Sequence, residues 1–173
     1  MDLWDLSGED QLVIRSAAAR YIRLQQVTSA GTIFMPGLGN TKLEWLKNYV
    51  EGGGEAGVIM TRFVHTASLV TKILQDLGVA DEWIIGTYER LGTGLNLQHK
   101  RVLIAWDPPK SRLDWEQAVG RIHRLGQARN QLVYKLIVGS SVDDHAWNHI
   151  ERKQSTVDMI LSWLRGLQGE TNE

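Results

Sequence analysis

Cysteine is absent from the 173-residue chain, and proline occurs only three times. The lack of cysteine excludes disulfides, thiol catalysis and Cys-ligated zinc, and it is expected of a protein in a reducing compartment. No apolar run approaches the roughly 18–20 residues that a membrane span needs. The chain begins MDLWDL, without the basic start and apolar stretch of a secretory signal. These absences together predict a cytoplasmic protein, free or associated with the nucleoid.

The residues that are present predict one globular domain. Apolar residues make up 43% of the chain and charged residues 23%, and the apolar set includes seven tryptophans. This composition supplies enough apolar side chains for one sizeable core and is unlike that of disordered chains. The length is also typical of a single domain.

Charge is unevenly distributed, although the net charge is only −1. Residues 1–99 carry 8 basic and 11 acidic side chains, residues 100–135 carry 8 and 3, and residues 136–173 carry 3 and 6. The middle segment, 100–135, therefore has a balance of +5. Such a segment is compatible with a solvated basic surface or with a local site for phosphate anions, and charge alone does not distinguish them.

Helical and strand patterns alternate along the chain. Capping boxes that begin at Ser7, Thr41 and Ser141 predict helix starts, and apolar runs bounded by turns predict strands. The predicted helices are about 7–26, 41–49, 64–77, 114–124 and 141–164; the predicted strands are 58–61, 83–87, 102–106 and 132–138, with a short apolar run at 32–35. Strands that are apolar throughout and alternate with helices favour an α/β fold, a parallel sheet with helices on both faces.

Ligands of such sheets bind at the carboxyl ends of the strands, so the loops there are candidates for a site. Thr87 ends one strand and leads to Gly92 and Gly94, which would allow a phosphate to approach the backbone closely. A GxG pair is also common in simple turns, so alone it is a weak signal. Asp107, which is followed by two prolines, is predicted to project from a rigid turn after the next strand.

The segment 117–127, QAVGRIHRLGQ, carries the strongest local signal. On a helix, one narrow stripe would hold Gln117, Arg121 and Arg124. A separate apolar face would hold Ala118, Val119, Ile122 and Leu125. Gly120 lowers helix propensity by about 1 kcal/mol relative to alanine, which indicates a close approach by another group. The stripe suits a polyphosphate, and a solvated helix face with Arg–Glu pairs is the alternative.

Three other patterns fail on their spacing. The segment 37–42, GLGNTK, lies between a strand and a helix but lacks the order of residues in a Walker A loop. Asp81 and Glu82 resemble a DE box but precede their strand. His145 and His149 are four residues apart on a helix, without the glutamate of an HExxH zinc site. We therefore predict no metal site within this chain.

Taken together, the motifs resemble the second RecA-like lobe of superfamily 2 helicases, specifically the Swi/Snf-type DNA translocases. VIMTRF at 58–63 is similar to motif IV, and the segment 87–97 is similar to motif V. QAVGRIHRLGQ at 117–127, after WDP at 106–108, closely matches motif VI. The flanking segments resemble the leader into that lobe and the helix that leaves it, so the resemblance covers nearly the whole chain.

The resemblance implies a RecA-like C-terminal lobe with two departures. The first lobe, with its Walker A and DE-box residues, has no counterpart in these residues. One strand–helix unit is also missing between motifs IV and V, because Gly78 leads within a few residues to the strand at Trp83. We divide the chain into a helical leader (1–56), a RecA-like core with motifs IV, V and VI (57–140), and a C-terminal helix and tail (141–173).

The resemblance also implies half of an active site. In this family ATP binds between two lobes, and the first lobe holds magnesium and the phosphate loop. The residues that correspond to the arginine fingers, and are therefore the predicted catalytic residues, are Arg121 and Arg124. In a lone lobe these arginines should face solvent together with Gln117 and contribute little to stability. Nucleotide contacts are implied for Gly92, Gly94, Asn96, Gln117 and Gly120. Contacts with the DNA backbone are implied for Arg62 and Thr87.

We therefore expect the second lobe of an ATP-dependent DNA translocase. Its expected partners are a first RecA-like lobe and double-stranded DNA, and it would use ATP and Mg²⁺ only together with that first lobe. One alternative is a stand-alone module that binds nucleic acid or docks on a partner without hydrolysis; another is an inactive fragment. A first lobe encoded upstream or in a neighbouring chain would favour the enzyme.

Overall fold

Among the residues that the structure describes, four parallel strands form one sheet. The computed structural model describes residues 8–34, 39–92, 96–123, 129–152 and 156–169. The strands are β1 (Val58–Thr61), β2 (Ile84–Thr87), β3 (Val102–Ala105) and β4 (Leu132–Lys135), in the order β2-β1-β3-β4. Because every neighbouring pair is parallel, all carboxyl ends lie at one edge of the sheet.

The helices flank this sheet. In the part of the chain that is described they are α1 (Gly8–Phe34), α2 (Thr41–Glu51), α3 (Val64–Asp76), α4 (Tyr88–Leu91), α5 (Arg112–Ile122), α6 (Val142–Glu151) and α7 (Thr156–Gly169), with a 3₁₀ helix at Ala80–Glu82. The four strands lie where the sequence predicts them, within three residues at each end. None of the helices among these residues is both long and apolar enough to cross a membrane.

Three helix predictions are wrong in detail. Helix α1 does not end near 26 but includes 32–34, and it bends at Ala30, which has the non-helical angles φ −148° and ψ 47°. Asn40, not Thr41, caps α2, because its side chain accepts from the N–H groups of Lys42 and Leu43. The single helix predicted over 141–164 is two helices, α6 and α7. Six consecutive polar residues, ERKQST at 151–156, separate the apolar residues of the two helices, so the sequence did contain a signal for the break.

Apolar side chains cover both faces of the sheet. Val58 and Met60 of β1 pack in one cluster with Ile122 of α5, while Ile59 packs in the other with Leu74 of α3. Successive residues of a strand point to opposite faces, so a strand that is apolar at every position is covered on both sides. This arrangement confirms the predicted α/β fold.

The connection between β1 and β2 is short, as the sequence predicts. Residues 77–83 are all described, and they contain the 3₁₀ helix Ala80–Glu82 but no strand. The left-handed angle of Gly78 (φ 73°) reverses the chain after α3. Helix α3 therefore returns directly to β2, which forms one edge of the sheet.

Candidate functional site

A cavity of about 230 Å³ lies at the carboxyl ends of the strands. Arg62 follows β1, Thr87 ends β2, and Gln117 lies on α5, so three separate segments meet at this point. The complete lining is Arg62, Thr87, Tyr88, Glu89, Lys110, Asp114 and Gln117. The structure thus places the two predicted DNA-binding residues beside one predicted nucleotide-binding residue.

Thr87 and Tyr88 fix the turn from β2 into α4. The Thr87 hydroxyl caps α4 by accepting from the N–H of Arg90 at 3.3 Å. The phenol of Tyr88 donates to the carbonyl oxygen of Asp107 at 2.8 Å and so joins α4 to the end of β3. Burial raises the pKa of Tyr88 well above its usual range, so the phenol remains a donor at neutral pH.

Arg62 is partly buried in the wall of the cavity. Its backbone N–H donates to Oδ2 of Asp107 at 3.0 Å, and its Nη1 donates to Oε1 of Gln25 at 2.5 Å. Burial lowers the pKa of Arg62 from its ordinary value, but an arginine remains protonated in proteins. The wall of the cavity therefore holds a partly buried positive charge, which two hydrogen bonds fix in position.

Asp107 does not project from its turn, contrary to the sequence prediction. Its side chain is buried, and burial raises its pKa to about 6 against the opposing attraction of Lys42. Lys42 Nζ lies 3.7 Å from Asp107 Oδ1 and 2.6 Å from Asp143 Oδ2, and it donates to the carbonyl oxygen of Trp106 at 2.8 Å. The prolines do form a turn, but the buried ammonium from α2 draws the carboxylate inward.

Arg121 lies on α5 beside the loop that follows α4. Its Nε donates to the carbonyl oxygen of Gly92 at 2.9 Å, and its Nη2 donates to the same oxygen. A Cβ atom on Gly92 would come within 2.5 Å of the Tyr88 carbonyl oxygen, so this position needs glycine. The stripe that contains Gln117 and Arg121 is predicted to face solvent. Gln117 is exposed, but Arg121 is partly buried.

The remaining predicted residues fall at several places. Ala118 and Ile122 are fully buried, as predicted for the apolar face of α5.

Gly120 borders a groove between α5 and α6. A Cβ atom there would meet nothing within 4 Å, so the close approach predicted from this glycine is not seen among the described residues. Asn96 accepts from the N–H of Gln98 in a turn, away from the cavity lining. Gly94, Arg124 and Leu125 lie outside the described residues.

Acidic partners neutralise much of the basic segment 100–135. Salt bridges join Arg101 and Arg129 to Glu55, and three more join Lys110 to Glu89, Arg112 to Glu116, and Lys135 to Glu151. The cavity itself contains both signs, because Glu89 and Asp114 line it together with Arg62 and Lys110. In the described ranges no group of three or more His, Asp or Glu side chains could hold a metal ion.

Sequence reasoning missed Gln25, Lys42, Tyr88, Lys110 and Asp114. A signal existed for Lys42, because it lies four residues before the buried Leu46 and therefore on the apolar face of α2. No local signal existed for Gln25, since its contact with Arg62 spans 37 residues. Long-range contacts of this kind leave no periodic trace in a single sequence.

Comparisons with known proteins add the family context. The uncharacterized ATP-dependent helicase YqhH of Bacillus subtilis is 41% identical over 73 residues, which are 42% of this chain and 13% of that protein. The DNA repair protein rad5 of Emericella nidulans is 37% identical over 82 residues, which are 47% of this chain and 6% of that protein. No protein-family model matches the chain. The matched segment thus corresponds to a small part of each relative.

One solved structure shares the fold. The C-terminal part of the Fun30 ATPase domain matches 66% of this chain and 45% of that chain, with a TM-score of 0.53 and 22% identity. At this identity the match shows the fold alone. It agrees with the parallel sheet and with the RecA-like C-terminal lobe predicted from the motifs.

Proposed function

Because this chain is a homologue of the Swi/Snf-type ATP-dependent helicases and has the fold of their C-terminal RecA-like lobe, we propose that it acts as the second lobe of an ATP-dependent DNA translocase. In this role it supplies arginine fingers to an ATP site and contacts the phosphate backbone of DNA. The first lobe of that site comes from another segment or another chain.

One observation carries this proposal. The cavity at the carboxyl edge is lined by Arg62 after the motif IV strand, Thr87 of motif V and Gln117 of motif VI. These residues are 25 to 55 positions apart, yet they surround a volume of about 230 Å³. A site that couples a nucleotide to DNA requires such a junction between the motifs that contact each of them.

The side chain of Arg121 is fixed by hydrogen bonds and still has donors for a ligand. Its two bonds to the Gly92 carbonyl oxygen fix the plane of the guanidinium group and leave three of its five N–H donors for a ligand. An arginine finger neutralises charge on the oxygens of the transferring phosphoryl group and typically raises the rate about 10³–10⁵-fold. The contact with Gly92 also joins motif VI to motif V, so a movement of one would displace the other.

The side chains that the structure describes fit the anionic part of ATP, and they form no site for magnesium. Guanidinium and amide groups from Arg121 and Gln117 would hold phosphate oxygens, and ATP itself would supply the phosphoryl group that is transferred. The described residues offer no cluster of carboxylates or imidazoles for a metal ion. We therefore assign magnesium to the first lobe.

The test is to combine the chain with a first lobe and measure DNA-stimulated ATPase. Arg121→Ala and Arg124→Ala should each lower turnover by about 10³-fold, while ATP affinity changes little because fingers act on the transition state. Arg90→Ala, an exposed arginine after β2, is the matched control and should retain activity. The chain alone should show no turnover. Full ATPase in the combined sample without either Arg121 or Arg124 would contradict the proposal.

A further inference from the structure

Arg62 carries a positive charge that Asp107 and Asp114 attract without forming a salt bridge with it. Among the described residues no carboxylate forms a salt bridge with it, although Lys110, on the same cavity, is paired with Glu89. The guanidinium carbon lies 5.7 Å from the centroid of the Phe63 ring, and the side chain is partly buried. A charge that is partly shielded from water interacts more strongly with an anion that reaches it than a fully exposed charge does.

Helix α1 supplies the group that holds this guanidinium. Oε1 of Gln25 accepts from Nη1 of Arg62 at 2.5 Å, and the Gln25 side chain is only 1% exposed. The same part of α1 is tied to the sheet, because Ser29 bonds to Thr66 of α3 at 2.6 Å and its carbonyl oxygen accepts from Nε1 of Trp106. The acceptor for Arg62 therefore sits on a rigid support.

From this contact we propose that Gln25 is a positioning residue, which orients Arg62 toward a phosphate oxygen of DNA in the cavity. This inference rests on the proposed contact between the chain and the DNA backbone. Gln25 uses one N–H of Arg62 and leaves four of the five donors available. The backbone bond from Arg62 to Asp107 fixes the other end of the residue.

The chemistry of the acceptor matters as much as its position. A glutamine is neutral, so it fixes the direction of the guanidinium without cancelling its charge. A glutamate at the same position would fix the direction equally well but would form a buried ion pair. The phosphate would then meet a neutral pair instead of a cation. The Gln25→Glu variant therefore keeps the orientation of the Arg62 guanidinium but cancels its charge.

The experiment measures binding of the full chain to a fluorescein-labelled duplex over a series of salt concentrations. Arg62→Ala should weaken binding several-fold and reduce the salt slope by about one phosphate contact. Gln25→Met, which keeps the volume but removes the acceptor, should also weaken binding several-fold. Gln25→Glu should reduce the salt slope as Arg62→Ala does. Gln26→Met, at the adjacent position, is the matched control and should bind like the unaltered chain.

A double variant distinguishes positioning from a general structural role. If Gln25 acts through Arg62, then Gln25→Met should have no further effect in a chain that already carries Arg62→Ala. Additive losses in the double variant, or normal binding by Gln25→Met together with a defect in Arg62→Ala, would overturn the positioning role and leave the DNA contact intact. Normal binding by Arg62→Ala would overturn the DNA contact itself. If Gln25→Met melts at a much lower temperature, binding is compared at a temperature at which both single variants and the double variant are folded, and the same test of additivity decides.

Discussion

The guanidinium group of Arg121 donates two hydrogen bonds to the carbonyl oxygen of Gly92. This contact spans 29 residues and joins the last turn of α5 to the C-terminal end of α4. From the sequence alone, Arg121 is expected to face solvent and to contribute little to stability. In the structure it holds two motifs together, so the same side chain has a structural contact in addition to its proposed catalytic one.

Replacement of Arg121 should therefore lower stability measurably. Arg121→Ala removes two charge-assisted hydrogen bonds from a partly buried acceptor, and we expect a loss of about 1–2 kcal/mol in the free energy of unfolding. Arg90→Ala removes an exposed arginine near the same loop and should change it by less than about 0.5 kcal/mol. Urea denaturation of both variants is the measurement. Equal stabilities would mean that the bonds to Gly92 contribute nothing.

Replacement of glycine by alanine should have opposite effects on stability at Gly92 and Gly120. Gly92→Ala places a Cβ atom 2.5 Å from the Tyr88 carbonyl oxygen, so the loop must shift, at a cost of about 1–3 kcal/mol. Gly120→Ala meets nothing within 4 Å and removes a glycine from the interior of α5, which should stabilise the chain by up to about 1 kcal/mol. Thermal unfolding of the two variants compares them directly, and a destabilised Gly120→Ala would show that α5 needs glycine for another reason.

Loss of the buried ammonium of Lys42 should be severe. Lys42 is 3% exposed and bonds to Asp143 at 2.6 Å, so Lys42→Met leaves a buried carboxylate without its cation. We expect a loss of about 3–5 kcal/mol. A second change, Asp143→Asn, should recover part of that loss, because it removes the unpaired charge. Lys47→Met, on the exposed face of α2, is the control; a similar loss there would show that the effect does not come from burial.

Asp107 should make stability depend on pH. Its pKa is raised to about 6 by burial, so its contribution to stability is complete below the unfolded value near 3.8 and is lost as pH rises through about 6. Between pH 5 and pH 7 the loss amounts to about 1 kcal/mol. Asp107→Asn should remove this component.

The comparison of both proteins at both pH values isolates Asp107. Burial also lowers the pKa of His145, whose contribution has the opposite sign because it is present above the unfolded value and is lost as pH falls through the lowered folded value. That histidine is present in both proteins, so its effect cancels in the difference. An identical pH dependence in the two proteins would mean that Asp107 titrates normally.

The spacing of apolar residues was sufficient to predict the strands and the helix that carry the site. The apolar runs located the strands because each strand is covered on both faces, and the spacing of Ala118 and Ile122 identified the buried face of α5 because a helix has a fixed period. The structure places Arg62, Thr87 and Gln117, which the motifs identified, around one cavity at the carboxyl edge of the sheet. These features depend on residues that are close in the chain or on the rule that parallel strands end together.

Contacts between distant segments could not be predicted in this way. The bond from Arg62 to Gln25 and the pair of Lys42 with Asp143 depend on where α1 and α2 pack, which no single segment specifies. Asp107 is buried beside Lys42. The wrong prediction for Asp107 and the failure to identify Lys42 therefore have the same cause. The close approach predicted at Gly120 is wrong for a different reason. Among the described residues no atom lies within 4 Å of the position that a Cβ atom would occupy there.

The pair of Lys42 with Asp143 also sets the order of events when the chain is made. The two residues are 101 positions apart, so at ordinary rates of synthesis about 5–20 s pass between them. During that time the ammonium group can reach Asp107 and the carbonyl oxygen of Trp106 but not Asp143, which is its shortest contact. We therefore expect Lys42 to be completely paired only after α6 has left the ribosome, and an earlier collapse of the nascent chain would bury the ammonium without its shortest contact.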